Sequence, residues 1–233
     1  MESLNIFCAG AARAMVMWVA GEFQRERAVA VNAHYGAVGA MKARVVAAEP
    51  VDIIILTAGL IDELIEQGLV VPGSRADLGK VGTAIAVRSG AALPDVGSTQ
   101  ALRSSLLAAT KIVCPDPAVA TAGKVLLDAL RQLGIAERIT PKLEYTPSGH
   151  EAMARIAHGT GILELGVMQM TEIIAGAGVT LAGPLPPGQQ RDSIYSAGLA
   201  IRSAHPDRSR EFIHQLTGLE ARAALTAAGF EVG

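Results

Sequence analysis

Residues 49–68 read EPVDIIILTAGLIDELIEQG, and the fold turns on how this stretch is read. VDIIILTAG (51–59) is the most apolar strand in the chain, as expected of a strand covered on both faces. A short turn at Thr57–Gly59 leads into a helix over 60–67, and Gly68 stops it. Buried strand, small-residue turn and amphipathic helix make half of a parallel βαβ unit.

The same alternation extends in both directions. Upstream, residues 4–8 read as a strand, 12–27 as a helix, 28–34 as a strand and 36–49 as a helix. Downstream, SRADLGKVGTAIAVRSGA (74–91) changes texture, with a strand at 83–88 and then a loop into a short helix. The rhythm restarts with KIVCPDP (111–117), a helix over 121–133 closed by Gly134, and a strand over 139–145. A helix ended by Gly159, a strand at 161–167, a short helix from 171 and a strand from 179 follow. The turn-rich connector PLPPGQQRD (184–192) leads to a strand from 193, and two helices close the chain, the first entered through Pro206 and Asp207.

Two α/β rhythms are therefore joined twice, near 79–87 and near 189–199. This predicts an α/β fold of two lobes, the first from residues 1–82 plus 194–233 and the second, 83–193, inserted into it. Two crossing strands would then bound an interlobe cleft that can hinge.

Composition narrows the function. The 233 residues carry 20 Lys+Arg against 22 Asp+Glu, a formal net charge of −2, without a basic cluster of the kind nucleic acid requires. Aromatic residues are 3% of the chain, too few for base- or sugar-stacking platforms. The two cysteines, Cys8 and Cys114, lie in apolar strands and read as buried, reduced thiols. No apolar run approaches the ~20 residues of a membrane span. A secretory leader is not recognisable, so the chain reads as cytoplasmic as written, or periplasmic if a leader has been removed. Trp18, the single tryptophan, reads as a core residue.

Ligands in open α/β sheets bind beyond the carboxyl ends of strands. Four junctions of that kind stand out: Gly10–Ala11–Ala12–Arg13, YGAVG (35–39) with Val38 and Gly39, Thr57–Gly59, and DPAVATAG (116–123) with Ala120 and Thr121. GVMQMTE (166–172) adds Gln169 and Thr171. Arg13 is the anomaly. A cation in the first turn of a helix opposes the helix dipole by a few tenths of a kcal/mol up to about 1 kcal/mol. A bound anion at the turn removes that conflict; a bend into solvent or a surface carboxylate also would. Thr57 reads either as a donor to the same anion or as a hydroxyl bonded to backbone, and Thr121 either as a ligand contact or as an N-cap. Tyr195 either closes over the cleft or fills the core. His34 and His158 read as satisfied or exposed, and His150 and Glu151 as the capped start of a helix. Ser/His/Asp order and metal-ligand spacing are missing, so no metal, cofactor or nucleophile is expected.

The runs IFCAGAARAM (6–15), YGAVGAMKARVVAAEPVDIIILTAGLIDELIEQGLV (35–70), SRADL (74–78) and DPAVATAGKVLLDALRQLGI (116–135) resemble, in order and spacing, the periplasmic molybdate-binding protein family. The resemblance implies the type 2 solute-binding fold of ABC importers, with the ligand at the interlobe cleft and an importer permease as partner. In that family neutral donors cage the ligand: a serine after the first strand, another in the second loop and a tyrosine late in the inserted lobe. The matching positions here are Ala11, Val38 and approximately Met168. A tetrahedral oxyanion stripped of such donors loses about 1.5–3 kcal/mol per charged hydrogen bond. Arg13 instead suits a carboxylate, which it can grip bidentately. The expected ligand is thus a small anion, an organic carboxylate. A branch resembling the same family isomerises unsaturated tricarboxylates, aconitate isomerase among them; such chemistry needs a general base, for which Glu172, His150 and Tyr195 are candidates.

Overall fold

The quoted apolar run is strand β3 (Ile53–Thr57), and Ile53 to Leu56 are fully buried. The computed structural model describes residues 2–233, so the predicted start of the first lobe, at residue 1, lies outside the described residues. The chain forms two compact units, one from the residues up to Val81 together with Ser193–Gly233, the other from Gly82–Asp192.

In the first unit β1 (Ser3–Ala9) lies parallel between β2 (Ala30–Gly36) and β3. The returning strand β10 (Ser193–Leu199) is inserted antiparallel between β3 and the edge strand β4 (Ala76–Val81), giving the order β2-β1-β3-β10-β4. Helices α1 (Arg13–Arg27), α2 (Val38–Val46) and α3 (Ala58–Glu66) follow β1, β2 and β3. The stripe Met15, Val16, Val19 and Phe23 buries α1, with Phe23 edge-on to Phe212 at 5.3 Å. Trp18 falls outside that stripe and is 41% exposed, so it is not the core residue expected: helical spacing, not side-chain hydrophobicity, decides its place.

The second unit has the order β7-β6-β8-β5-β9, built from β5 (Thr83–Arg88), β6 (Lys111–Pro115), β7 (Leu143–Thr146), β8 (Glu164–Gln169) and β9 (Val179–Pro184). β6, β7 and β8 are parallel, and β5 runs antiparallel to both β8 and β9. The alternation of β5 sorts its side chains by size. Ile85 and Val87 join a large apolar cluster with Leu102 and Leu106 of α4 (Thr99–Ala108) and Leu126 and Leu130 of α5 (Thr121–Gln132). Ala84 and Ala86 face Ala152 and Ile156 of α7 (Gly149–Ala157) and Ile173 of α8 (Met170–Ala175). A Cβ on Gly123 would lie 2.2 Å from the Pro115 carbonyl oxygen, so only glycine lets α5 approach the end of β6 this closely.

Two segments depart from expectation. The strand expected over 139–145 begins only at Leu143; Ile139 ends a short helix, α6 (Ala136–Ile139), and Thr140–Lys142 form a 3-10 turn. Pro141 has no N–H to give to a strand ladder. Strand β4 lies within the texture change after residue 74, where the sequence pattern predicts no strand before residue 83. It is an edge strand whose Gly79 sits at φ 145°, where a Cβ would meet the Glu231 carbonyl oxygen at 2.7 Å. The tail forms α9 (Pro206–Thr217) and α10 (Arg222–Ala227).

Asp52 ties the two chain segments of the first unit together. It is 2% exposed, and its carboxylate accepts from the Asn5 N–H (2.8 Å), the Ser203 hydroxyl (2.7 Å) and the Ala204 N–H (2.9 Å). Asp52→Ala strands all three donors, and the expected loss in urea-unfolding free energy is about 2–4 kcal/mol. A change within 0.5 kcal/mol contradicts this role.

Candidate functional site

Three junctions predicted from sequence meet at one end of the first unit's sheet. β1 runs parallel to β2 and β3, with Ala9 opposite Gly36 and Cys8 opposite both Tyr35 and Ile55, so the three strands end side by side. From these ends start α1, α2 and α3. Gly10–Ala12 form a 3-10 turn before Arg13; Ala37 is the N-cap of α2, placing Val38 and Gly39 in its first turn; Thr57 is the N-cap of α3. None of these helices has a capping side chain or an acidic residue in its first turn. The Thr57 hydroxyl does not cap its own helix.

The contrast with other helices is informative. Ser98 accepts from the Ala101 N–H at the start of α4, and Ser148 from the Glu151 N–H at the start of α7. α9 begins with Pro206 and Asp207. Among described helices of nine residues or more, only α1, α2, α3 and α5 lack both devices, and these follow the four junctions singled out from sequence. Free first-turn N–H groups carry partial positive charge and suit an anion.

Arg13 is half-buried at the first position of α1. Among the described residues it makes no ion pair or hydrogen bond; its guanidinium lies over the Tyr35 ring, 5.1 Å from the centroid. Such a contact contributes about 0.5–2 kcal/mol and leaves the N–H fork free. Burial pushes the Tyr35 phenol up to about 12, with the Cys8 thiol adding to the rise and the Arg13 charge opposing it. Tyr35 is therefore a neutral O–H donor beside the cation at physiological pH. Sequence alone does not mark it, because a tyrosine at a strand end is indistinguishable by type from a core tyrosine. Tyr195 is 1% exposed, opposite Thr57 across the strands, with its ring edge-on to Phe230 at 6.5 Å.

In the second unit Ala120 is the N-cap of α5 and Thr121 its first residue, so Thr121 is not the cap; the preceding loop is tied by the Asp116 carboxylate to the Ala118 N–H at 2.8 Å. Gln169 ends β8 and forms a capping box with Glu172 of α8. The Glu172 carboxylate accepts from the Gln169 N–H at 3.3 Å and lies against Gly149. Burial raises its pKa from 4.5 to about 7, against the pull of that hydrogen bond. Met168 is buried among apolar side chains, and His34, His150 and His158 are exposed. Both cysteines are free and buried, as expected, and burial pushes the Cys114 thiol to about 12 with help from Asp116. Among the described residues no three His, Cys, Asp or Glu side chains converge as metal ligands, and no helix is long and apolar enough to cross a membrane.

Comparison with known proteins gives a consistent family. A family model described as bacterial extracellular solute-binding protein matches residues 4–231. An aconitate isomerase from Pseudomonas is 28% identical over 183 residues, 78% of this chain and 68% of that protein. The periplasmic molybdate-binding protein of Azotobacter vinelandii superposes with a TM-score of 0.85 at 22% identity, covering 99% of each chain. A sulfate-binding protein of Mycobacterium tuberculosis gives 0.77 at 18% identity, covering 99% of this chain and 86% of that one. The fold is thus the type 2 solute-binding fold that the resemblance implied.

The Glu172 carboxyl makes stability depend on pH. Its folded pKa lies above the unfolded value, so its stabilising effect is complete below pH 4.5 and is lost as the pH rises to about 7. Glu172→Gln keeps the capping box and removes the titration. The variant is expected to match the wild type in urea unfolding at pH 4 and to exceed it at pH 8 by on the order of 2–3 kcal/mol.

Proposed function

The chain belongs to the bacterial extracellular solute-binding protein family, and on that premise we propose that it captures a small anion, specifically an organic carboxylate. The observation that carries this reading is the set of helix starts without caps or acidic residues beside Arg13. A guanidinium with a free N–H fork grips a carboxylate in two parallel hydrogen bonds, and the Tyr35 O–H and the first-turn amides supply neutral donors around it. In the first unit the ligand contacts are Gly10, Ala11, Ala12, Arg13, Val38, Gly39 and Thr57, with Tyr195 behind Thr57. In the second unit they are Ala120, Thr121 and Gln169. The Azotobacter and Mycobacterium proteins bind molybdate and sulfate by name. Here Ala11, Val38 and Met168 offer no hydroxyl, which favours a carboxylate over a tetrahedral oxyanion. Delivery to the permease of an ABC importer follows from the same family reading.

A second reading is supported by the likeness to aconitate isomerase. In such a reaction a proton leaves the methylene carbon of an unsaturated tricarboxylate and returns to the former vinylic carbon, so the double bond moves without any redox partner. Glu172, with a carboxyl held near neutrality, is the candidate base.

A thermal-shift screen of molybdate, sulfate, and di- and tricarboxylates tests the first reading. A ligand at 100 times its Kd adds about 2.7 kcal/mol, a shift of several degrees. Arg13→Ala is expected to weaken carboxylate binding about thirtyfold, or about 2 kcal/mol. A shift with molybdate alone, or full affinity in Arg13→Ala, overturns the carboxylate reading. NMR of cis- and trans-aconitate incubated with the protein decides the second: interconversion supports it, and two unchanged spectra remove it.

A further inference from the structure

Among the described residues, the second unit holds buried side-chain polar atoms without a hydrogen-bond partner on three residues: the Thr83 and Thr171 hydroxyls and the Gln169 Nε2. The three side chains belong to residues that are 0%, 3% and 4% exposed. Thr83 and Gln169 are direct partners across the antiparallel β5–β8 pair, so their side chains leave the same face of the sheet as neighbours. The Met170 N–H continues the attachment by donating to the Gly82 carbonyl at 2.9 Å, which keeps the start of α8 beside Thr83.

The placement runs against the pattern of both strands. Thr83 continues the face of Ile85 and Val87, and Gln169 that of Leu165 and Val167, all members of one apolar cluster. Valine or leucine would fill those positions without leaving a polar atom unpaired. Nearby polar groups do not meet the need. The Gln190 side chain clamps the Thr83 backbone from both sides, accepting from its N–H and donating to its carbonyl, each at 2.9 Å. The Glu172 carboxylate is engaged by the Gln169 main chain.

Resting on the reading that the chain binds an organic acid, we infer that Thr83, Gln169 and Thr171 form a subsite for a neutral oxygen substituent of that acid, a hydroxyl group. Two threonine hydroxyls can each donate or accept, and the amide Nε2 donates, which satisfies an alcohol in both senses. None of the three side chains carries a charge, which suits an alcohol better than a second carboxylate. A site built to hydrogen-bond a hydroxyl discriminates strongly against the analogue that lacks it, because its own buried groups are then left unpaired.

Two ligand pairs that differ by one hydroxyl test this: citrate against tricarballylate, and malate against succinate, titrated by calorimetry. The expected result is at least tenfold tighter binding of the hydroxylated member of a pair. Thr83→Val and Thr171→Val should each erase most of that preference while leaving the dehydroxy acid's affinity and the ligand-free melting temperature unchanged or raised. Equal affinity within both pairs overturns the subsite and leaves the carboxylate reading standing. Binding of none of the four acids overturns both. Valine variants that melt well below the wild type without ligand also overturn it, since the hydroxyls would then be serving the fold.

Discussion

A strand from near the end of the chain returns to the sheet begun by its first residues, and the Thr57 end of β3 is fixed by this return. Strand β10 separates β3 from β4 and is antiparallel to both. It is fastened by the Ser196 hydroxyl to Asp77 at 2.7 Å, by the Leu199 N–H to the Ser74 hydroxyl at 3.1 Å, and beyond its end by the Asp52 cluster. Tyr195 lies opposite Thr57, so the last residue of β3, which is also the N-cap of α3, is positioned by the returning strand. The buried Asp52 carboxylate is held by hydrogen-bond donors alone. An arrangement of that kind is unforgiving of single deletions, because each donor lost leaves charge without compensation.

The distribution of helix caps carries a second argument. A protein satisfies its helix starts cheaply, with a serine or an aspartate, wherever nothing else is to meet them. This chain does so at α4, α7 and α9 and withholds such residues at α1, α2, α3 and α5. The withheld positions follow parallel strands of the two sheets. Adding Arg13 to one of them opposes the local dipole, a cost that the Tyr35 ring offsets in part and an anion offsets fully. Stability alone would select an acidic residue at such a position.

Much of this was legible in the sequence, for reasons that particular residues make plain. The run IIIL is apolar on both sides because β3 is covered on both faces, and small residues follow each strand because a helix must start there without a clash. Strand β4 was not legible: an edge strand reading ADLGKV, with Gly79 and Lys80 adjacent, looks like a loop until its partner, more than a hundred residues away, is known. The segment 139–145 misled because Ile139 is fully buried yet helical, and burial by itself has no period. Thr83 was invisible for another reason. A threonine opening a strand is ordinary, and only the register opposite Gln169 shows that two polar side chains share one apolar face.

Glu172 is where the two functional readings part. A general base must approach a carbon-bound proton and must be free to pass it on. This carboxylate is committed to the Gln169 N–H and is packed against Gly149, where even a methyl group would lie 2.2 Å from its oxygen. Those contacts fix the β8–α8 turn on which Gln169 stands. The raised pKa then follows from the burial needed to hold the turn, and near-neutral titration is a consequence of positioning. On this geometry Glu172 acts first on the shape of the binding surface, and a role in proton transfer would require the capping box to open during each turnover.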